Sequence, residues 1–369
     1  MTFTIEKTKL LNALQRLNKV TPQRSTLPIL GCVLFDIDKK SIKLRATDLE
    51  QTIIIEIPIK SSDVGKTAVP IKTLLEITQE IPDKNINFSI GADQKIELIT
   101  KTGSYRIMGK SAKEFPEIPT IENPVNIDLS YDELKEIIND TLYAASKDDM
   151  KISLQGVCLN VEKDSITAVA TDGFRLVKRL SKMNGSTEFS GSVIIPSKFL
   201  SIINSHINKK TKISLLLGTN HIQIENEETI ILSRIIKEKY PDYESIIPTD
   251  NDKKIELNRE ALLSAVKRVS IFSNRTTKQV TLSFENNMVT VDTEDAENMT
   301  AGNESVDCKY DGKALSIGFN ANFLKELLSH QPSDELTIKL KSSLGAGMFY
   351  PIEEKTTREI VTLLMPIRI

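Results

Sequence analysis

The stretch ATDGFRLVKR, residues 170–179, decides the fold because its first half has a counterpart earlier in the chain. The same ATD occurs at residues 46–48, followed there by Leu49 instead of Gly173. Strand-forming runs flank Asp172 and Gly173, which predicts a β-hairpin whose turn needs a positive φ. Either the chain repeats one structural unit, or Asp48 and Asp172 form a pair of carboxylates placed for chemistry.

Length and composition indicate a folded protein of two or three domains. The chain has 369 residues, of which 40% are hydrophobic and 27% charged, and it has no low-complexity tract. Its first residues, MTFTIEKTKLLNALQRL, lack the apolar core of a signal peptide. No stretch approaches the roughly 18 apolar residues that a membrane span requires. We therefore expect a cytoplasmic protein without a membrane partner.

The three cysteines predict neither a disulfide framework nor a zinc site. Their number is odd, and they are widely spaced, at Cys32, Cys158 and Cys308. The sequence has no CxxC pair and no histidines near these cysteines. We expect buried, reduced thiols. The spacing of Cys32 and Cys158 is close to the spacing of the two ATD sequences, which predicts corresponding positions in a repeated unit.

Internal repeats explain the two ATD sequences. A strand followed by an amphipathic helix is predicted three times, in FTIEKTKLLNALQRLNKV from Phe3, NIDLSYDELKEIINDTLYAAS from Asn126 and KIELNREALLSAVKRVSIFS from Lys254. A second strand and helix follow in each unit, in TAVPIKTLLEI from Thr67, SVIIPSKFLSII from Ser192 and LSIGFNANFLKELL from Leu315. One unit therefore occurs three times, and TED at Thr293 is expected to be the third copy of ATD.

Proline-rich phrases mark the ends of the first two units. EFPEIP begins at Glu114 and KYPDYESIIP begins at Lys239, whereas the third unit ends with the chain in LLMPIRI. These phrases predict three domains, at residues 1–122, 123–250 and 251–369. Each domain is expected to contain two helices and many strands.

The first predicted helix has one apolar and one polar face. Leu10, Leu14 and Leu17 recur at helical spacing and form the apolar face. The residues nearly opposite are Lys9, Asn12, Arg16 and Lys19. The net charge of the chain is only −2, and a weak basic stripe by itself does not establish nucleic-acid binding.

Several separated motifs carry a resemblance to a known family. They are LPILG at 27–31, ATDLE at 46–50, ATDGFRL at 170–176, YPDY at 240–243 and MPIR at 365–368. With them the whole chain resembles the bacterial DNA polymerase III β subunits, the sliding clamps. The resemblance implies an α+β fold of three clamp-type domains, each with two helices packed on antiparallel β-sheet. It also implies that two chains close head to tail into a ring, with helices around the hole.

By the same resemblance, the ring encircles double-stranded DNA without reading its sequence and confers processivity on the replicative polymerase. The residues expected to contact DNA are Arg24, Lys72, Lys151 and Lys198, and the helical pattern adds Lys9, Arg16 and Lys19. Family members can carry aromatic residues beside the position of Lys151, where this chain has Ile152 and Ser153. Stacking of single-stranded template is therefore not expected there.

The resemblance further implies a pocket for short peptide motifs of partner proteins. The partners are the replicative DNA polymerase alpha subunit, the clamp loader complex, and repair and translesion polymerases. The expected pocket residues are Leu154, Thr171, Gly173, Phe174, Arg175, Leu176, Pro241, Leu363, Met365, Pro366 and Ile367. Arg175 is expected to orient the bound peptide. Phe174 stands where His is common and Ser245 where Arg is frequent, so peptide preference is expected to differ.

The resemblance places the dimer interface between the first domain of one subunit and the third domain of the other. Tyr105 and Ile107 are expected to meet Ile271 and Phe272 of the second copy. Burial of these apolar groups would close the ring.

No catalytic or cofactor site is predicted. The three histidines, His206, His221 and His330, form no recognisable triad, and the sequence has no GxGxxG, Walker or HExxH motif. A carboxylate pair of Asp48 and Asp172 is disfavoured because equivalent turns of repeated domains lie apart. The remaining alternative is a repeat adaptor that never contacts DNA, which would share the repeats but not the ATDGFRL and MPIR motifs.

Overall fold

The computed structural model divides the chain into two compact units. Unit 1 comprises residues 1–131 and 201–235, and unit 2 comprises residues 132–200 and 236–369. The residues that the structure describes are 1–183, 187, 189–206, 213–226, 228–352 and 358–369. The predicted domain limits near residues 122 and 250 stay predictions, since the second predicted domain contributes to both units.

Six α-helices occur in the described residues, two in each predicted repeat, as expected. They are α1 (Lys7–Leu17), α2 (Ile71–Glu80), α3 (Tyr131–Thr141), α4 (Ser197–His206), α5 (Arg259–Val269) and α6 (Ala321–His330). The apolar stripe of α1 is buried, because Leu10, Leu14 and Leu17 have no exposed surface. The side chains of Asn258 and Asn320 cap α5 and α6 by accepting hydrogen bonds from backbone N–H groups of the first turn.

Within the part of the chain that the structure describes, each repeat contains eight or nine strands, which follow a similar order around its helices. The first has β1 (Thr2–Glu6), β2 (Cys32–Ile37), β3 (Ser41–Thr47), β4 (Gln51–Pro58), β5 (Lys60–Ser61), β6 (Gly65–Pro70), β7 (Asn85–Ile90), β8 (Lys95–Ile99) and β9 (Ser104–Met108). The second has β10 (Val125–Leu129), β11 (Gly156–Val161), β12 (Ser165–Thr171), β13 (Arg175–Lys182), β14 (Gly191–Pro196), β15 (Ile213–Leu217), β16 (His221–Asn226) and β17 (Thr229–Arg234). The third has β18 (Lys253–Asn258), β19 (Gln279–Glu285), β20 (Met288–Asp295), β21 (Thr300–Lys309), β22 (Leu315–Asn320), β23 (Glu335–Leu340), β24 (Gly347–Pro351) and β25 (Arg358–Leu364).

These strands form three antiparallel sheets. Unit 1 holds a five-stranded sheet, in the order β5-β1-β7-β8-β9, and an eight-stranded sheet, in the order β10-β15-β16-β17-β4-β3-β2-β6. Unit 2 holds a twelve-stranded sheet, in the order β14-β11-β12-β13-β25-β24-β23-β18-β21-β20-β19-β22. The larger sheets are continuous because a strand of one repeat pairs with a strand of the next.

Two such junctions occur, and they correspond to each other. In unit 1, β4 of the first repeat pairs with β17 of the second, and Gln51 is opposite Ser233. In unit 2, β13 of the second repeat pairs with β25 of the third, and Arg175 is opposite Leu364. The hydrogen-bonding edge of one repeat is therefore satisfied by the last strand of the following repeat.

A buried ion-pair network reinforces the junction in unit 2. The Nε of Arg179 on β13 donates to Oδ2 of Asp140 on α3 over 3.0 Å, and Nη1 of Arg358 on β25 lies 3.2 Å from the same oxygen. Burial raises the pKa of the Asp140 carboxyl, although both guanidinium groups act in the opposite direction. Glu136 accepts from both arginines as well, so the two carboxylates and two guanidiniums balance in charge.

The register corrects the expectation about the third copy of ATD. In each repeat a four-residue loop joins the two strands of the corresponding hairpin, and Thr47, Thr171 and Asp295 are the residues before that loop. Asp295 therefore takes the place of the threonine. The TED sequence is one residue out of register with ATD, and its resemblance to ATD was misleading.

The cysteines are free and buried, as predicted, but Cys32 and Cys158 do not correspond. Cys32 pairs with Pro70, the residue before α2, whereas the residue that pairs with the proline before α4 is Gly156. Cys158 lies two residues further along its strand. The predicted correspondence is wrong because near-equal spacing in sequence does not guarantee equal register in a sheet.

Candidate functional site

The turn between β12 and β13 is built by its own side chains. Oδ1 of Asp172 accepts from the backbone N–H groups of Phe174 and Arg175, at 2.9 and 3.0 Å. The hydroxyl of Thr171 accepts from the N–H of Gly173 at 3.1 Å and donates to the carbonyl of Arg175 at 2.6 Å. Gly173 has a φ of 92°, so the predicted positive-φ position is confirmed.

The corresponding turn in the first repeat uses the same device. Oδ1 of Asp48 accepts from the N–H groups of Glu50 and Gln51, at 3.1 and 2.7 Å. Leu49 takes the place of Gly173 and has a φ of 78° despite its side chain. Both aspartates thus hold the backbone of their own turns, which accounts for the repeated ATD without any catalytic pair.

The C-terminal segment lies against the turn of the second repeat. The N–H of Met365 donates to the carbonyl of Phe174 over 2.8 Å, and Leu176 is paired with Leu363 across β13 and β25. The N–H of Ile367 then donates to the carbonyl of Gly318 on β22, also over 2.8 Å. The two sequence segments expected to form a pocket, 171–176 and 363–367, are therefore neighbours in unit 2.

The expected pocket residues divide into an accessible group and a buried group. Phe174 is 55% exposed and Met365 is 45% exposed. Gly173 and Pro241 are also exposed, whereas Leu154, Pro366 and Ile367 are half-buried. The buried members are Thr171, Arg175, Leu176 and Leu363.

Leu176 and Leu363 belong to an apolar cluster of buried side chains, whereas Thr171 and Arg175 are not part of it. The cluster contains Cys158, Val169, Leu176, Ile194, Ala346, Met348 and Leu363. Partly buried aromatic side chains cover it, namely Tyr240, Tyr243 and Tyr350. Burial raises the pKa of the Tyr240 hydroxyl, which therefore stays neutral. This apolar cluster and the tyrosines packed against it are chemically suited to aliphatic and aromatic side chains.

Arg175 occupies a different place from the one we expected. It is only 4% exposed, and its guanidinium donates to Oδ2 of Asp172 at 3.1 Å, to Oε2 of Glu326 at 2.5 Å and to the carbonyl of Tyr143 at 2.7 Å. Its guanidinium carbon also lies 4.8 Å from the ring centre of Phe323. This burial corrects the expectation that Arg175 orients a peptide directly. Arg175 instead stabilises the turn through its hydrogen bonds to Asp172, Glu326 and Tyr143.

Phe323 and Tyr143 were not anticipated from the sequence. The ring of Phe174 stacks on Phe323 of α6 with centroids 5.8 Å apart, and Tyr143 stacks on His330 with centroids 4.1 Å apart. Phe323 is far from Phe174 in the chain, and no motif links the two. A lone phenylalanine among the aliphatic and polar residues of the predicted helix was the one sequence signal that could have found it.

The basic residues expected to contact DNA have different surroundings. Lys9, Lys19, Arg24, Lys72 and Lys198 are exposed. The guanidinium of Arg16 instead donates to the hydroxyl of Thr229 over 2.8 Å, and burial lowers its pKa. Nζ of Lys151 donates to the carbonyl of Asp172 over 3.1 Å and lies 5.3 Å from the ring centre of Phe174. Lys151 is therefore part of the pocket turn as well as a candidate for phosphate contact.

Of the expected dimer-interface residues, two lie in a strand of unit 1 and two lie in the short 3-10 turn that follows α5 in unit 2. Tyr105 is half-buried and Ile107 is buried within β9, an edge strand of the five-stranded sheet. In unit 2, Ile271 is 76% exposed and Phe272 is 43% exposed. The sequence reasoning missed Met299, which is 92% exposed just before β21.

Within the described ranges, no group of three or more His, Cys, Asp or Glu side chains could hold a metal ion. No helix in that part of the chain has the length and apolar character needed to cross a membrane. The side chain of His206, at the end of α4, lies outside the described part.

Three family models match consecutive parts of the chain. The model described as DNA polymerase III beta subunit, N-terminal domain, matches residues 1–119, and the central-domain model of the same subunit matches residues 128–242. The C-terminal-domain model matches residues 244–368. Together they account for nearly the whole chain.

Similar proteins and structures carry the same descriptions. The chain is 27% identical over 373 residues to the beta sliding clamp of Pseudomonas putida, covering 100% of both chains. It is 26% identical to the beta sliding clamp of Chlamydia pneumoniae over 94% of this chain and 95% of that one. Among solved structures, a DnaN sliding clamp from Pseudomonas aeruginosa bound to griselimycin superposes with a TM-score of 0.91 at 25% identity, covering 100% of both chains.

Proposed function

This chain belongs to the DNA polymerase III beta subunit family, and from that premise we propose how two copies encircle duplex DNA and present a peptide pocket. As a sliding clamp it is a processivity factor of DNA replication and not an enzyme. The fold agrees with this, since its three clamp domains are each made of helices packed on antiparallel sheet.

One observation supports ring closure above all: two equivalent junctions join successive repeats, whereas in the described residues the corresponding edges of the third and first repeats have no such partner. Strands β4 and β13 are joined to the last strands of the following repeats, β17 and β25. Their remaining counterparts are β21 in the third repeat and β9 in the first. In the described residues, β9 pairs only with β8, and β21 pairs with β18 only at Cys308 and Lys309. We propose that β21 of one subunit pairs with β9 of the other.

The two formed junctions also predict the register of this intersubunit pairing. Gln51 and Arg175 are the last residues of their four-residue loops, and Met299 has that position in the third repeat. Their partners are Ser233 and Leu364. Each partner lies three residues before a residue that forms an isolated β-bridge within its own repeat. In the first repeat Lys110 forms such a bridge, and Ile107 lies three residues before it. Met299 of one subunit is therefore expected opposite Ile107 of the other.

The side chains at these edges favour burial. Met299, Ile271 and Phe272 form an exposed apolar group beside β21, and Met108 at the end of β9 is 59% exposed. The ring of Phe272 lies against Gly302, where a Cβ would approach it to 2.9 Å. Association would remove these apolar side chains from water and satisfy the free strand edges.

A ring reconciles DNA binding with a net charge of −2. Topological enclosure requires only weak attraction to phosphates, which the exposed lysines and Arg24 on and near the helices of the first two repeats supply. We propose Lys9, Lys19, Arg24, Lys72 and Lys198 for this role. Arg16 and Lys151 also remain candidates, although each donates one hydrogen bond within the protein.

We propose that the accessible group around Phe174 and Met365 binds the peptide motifs of the replicative polymerase alpha subunit, the clamp loader complex, and repair and translesion polymerases. The apolar cluster next to these residues and the tyrosines packed against it support this assignment. Because it acts on chromosomal DNA, we place the protein in the cytoplasm.

The test is retention on circular DNA. Protein loaded on a nicked circular plasmid, with a bacterial clamp loader and ATP, should remain bound in moderate salt and should be released when a restriction enzyme linearises the plasmid. Binding to short linear duplexes should be weak and salt-sensitive. Equal retention on circular and linear DNA would contradict enclosure, and a protein that binds peptides but never DNA would favour the adaptor alternative.

A further inference from the structure

The sheet face that carries Leu176 and Leu363 continues beyond the expected peptide pocket. Side chains that follow one another on one face of a strand are two residues and about 7 Å apart. Lys178 is two residues after Leu176 on β13, and it is paired with Val361, which is two residues before Leu363 on β25. Lys178 is therefore the first charged residue on this face of the two strands beyond the pocket.

An open groove follows these residues. It has a volume of about 1210 Å³, and its lining includes Lys178, Leu180 and Thr167 on β12 and β13. Pockets for small ligands usually hold about 300–1,000 Å³, so this groove suits an extended chain better than a compact molecule. A peptide seated at Leu176 and Leu363 can continue into it along the same face of the sheet.

A segment that we call the strap, residues 240–247, borders this groove and is bound to the sheet by two polar contacts. The hydroxyl of Tyr243 accepts from Nδ2 of Asn160 over 2.8 Å. Nζ of Lys178 donates to Oε1 of Glu244 over 2.5 Å and lies 5.9 Å from the ring centre of Tyr243. A carboxylate of the strap thus occupies the ammonium of Lys178.

The two partners of this ion pair differ in exposure. The Lys178 side chain is 25% exposed, whereas the Glu244 side chain is 57% exposed. Release of the Glu244 carboxylate into water therefore costs little. A carboxylate on a bound peptide could take its place, because the exchange keeps the partly buried ammonium in a charge-assisted hydrogen bond.

Charges further along the groove limit where a negative peptide residue is favoured. Glu359 of β25 lies one step beyond Lys178 on this face. Glu162 and Asp164 line the groove further on, together with Lys182. These three carboxylates outnumber the one ammonium and repel acidic groups. The position beside Lys178, next to the pocket, is therefore the one that favours a carboxylate.

We propose that Lys178 determines specificity in the peptide pocket by selecting partner peptides with a carboxylate beside their apolar anchor, and that Glu244 competes with that carboxylate. This proposal rests on the proposed function, because it requires that partner peptides bind at Leu176 and Leu363. The occupant of the groove near Lys178 is the extended flank of the same peptide. In the free protein, Glu244 acts as an internal competitor.

The experiment is a competition assay with a fluorescent polymerase C-terminal peptide as the probe. The competitors are copies of that peptide with Glu, Gln or Lys at each position next to its apolar residues. At one of these positions, Glu should bind the wild-type protein about fivefold more tightly than Gln, and Lys more weakly than Gln. The difference should shrink as the salt concentration rises.

Two variants break the same ion pair and should have opposite effects. Lys178→Gln should abolish the preference for Glu over Gln, whereas Glu244→Gln should strengthen binding of the Glu peptide about threefold, because it removes the competitor. If the ion pair only held the strap in place, both variants would weaken binding. The matched control is Lys182→Gln, which removes the same charge from an exposed position on the same face of β13 and should keep the preference. Thermal unfolding checks that each variant is folded.

The outcomes separate this proposal from the pocket assignment. If the wild type binds the probe but prefers Lys, or treats Glu and Gln alike at every position, Lys178 does not select the peptide and the pocket assignment stands. Equal losses in Lys178→Gln and Glu244→Gln would show a purely structural ion pair. Loss of the preference in Lys182→Gln as well would show an effect of net charge. If the folded wild type does not bind the probe, the pocket assignment itself is overturned.

Discussion

Arg175 and Glu326 are joined by a hydrogen-bonded ion pair of 2.5 Å across 151 residues of sequence. The pair links the turn of the second repeat to helix α6 of the third, and the ring of Phe323 lies against the same guanidinium. Arg175 is buried, whereas the Glu326 side chain is 48% exposed. The two partners should therefore respond differently to mutation.

Replacing Arg175 should unfold the turn and not merely weaken a peptide contact. Arg175→Ala removes the guanidinium donor from Oδ2 of Asp172, from Oε2 of Glu326 and from the carbonyl of Tyr143, and loss of one partner of a buried ion pair costs about 3 kcal/mol. Glu326→Gln should cost less than about 1 kcal/mol, because water can replace the exposed carboxylate. Urea unfolding of the two variants measures the difference, and equal losses would contradict the supporting role of Arg175.

Phe174 offers a cleaner test of the pocket. Phe174→Ala removes an exposed ring and keeps the backbone bonds of the turn, so the thermal unfolding midpoint should change little. The affinity for a labelled polymerase C-terminal peptide should fall at least roughly thirtyfold, because truncation of a hot-spot side chain costs about 2 kcal/mol or more. Titration by fluorescence anisotropy measures this loss. Unchanged affinity in a folded Phe174→Ala dimer would remove Phe174 from the pocket.

The two ATD turns should differ in their tolerance of a side chain. Gly173→Ala forces a Cβ into a φ of 92° and should cost about 1 kcal/mol. Leu49→Gly, at a φ of 78°, should raise the free energy of unfolding by about 0.5 kcal/mol, since relief of strain exceeds the entropy cost of glycine. Chemical denaturation of both variants tests whether the free energy of unfolding falls for Gly173→Ala and rises for Leu49→Gly.

If the proposed interface is correct, charged substitutions of a few exposed side chains should convert the dimer into monomers. Met299→Asp, or Ile271→Asp combined with Phe272→Asp, should abolish the dimer, because each puts charge into an apolar contact. Met150 is 91% exposed but far from the proposed strand pair in sequence, and Met150→Asp should leave the dimer intact. Light scattering at equal concentration distinguishes these results, and a dimeric Met299→Asp variant would show that the register is misplaced.

Asp295 should make the third repeat sensitive to acid. The pKa of the Asp295 carboxyl lies below its ordinary value of 3.8, mainly because the side-chain amide of Asn298 donates a hydrogen bond to it. The side-chain amide of Asn274 and the backbone N–H groups of Asn298 and Glu297 lower the pKa further. The folded state therefore binds this proton less tightly than the unfolded state. Its stabilisation is present above pH 3.8 and is lost as the pH falls through the lowered folded pKa. The difference in unfolding free energy between wild type and Asp295→Asn should thus shrink below pH 3.8, and a constant difference would contradict this assignment.

Much of the secondary structure could be predicted because it depends on local pattern. The leucines of α1 recur at helical spacing, and all six predicted strand-and-helix segments occur in the structure. Gly173 was predicted to have a positive φ because short hairpin turns require it. In contrast, the predictions that TED at Thr293 corresponds to ATD and that Cys32 corresponds to Cys158 were wrong. Register depends on strand partners that the local sequence does not specify.

The sequence by itself determined the threefold repeat, the helices and strands of each unit and, through the matching motifs, the family to which the chain belongs. Only the tertiary structure decided which site residues are accessible. Arg175 and Phe174 are adjacent in sequence, but Arg175 begins β13 and is buried by its ion pairs with Asp172 and Glu326, whereas Phe174 lies in the preceding turn and is 55% exposed. The junction register likewise follows from pairing between strands far apart in the chain, where backbone hydrogen bonds and not local preference select the partner.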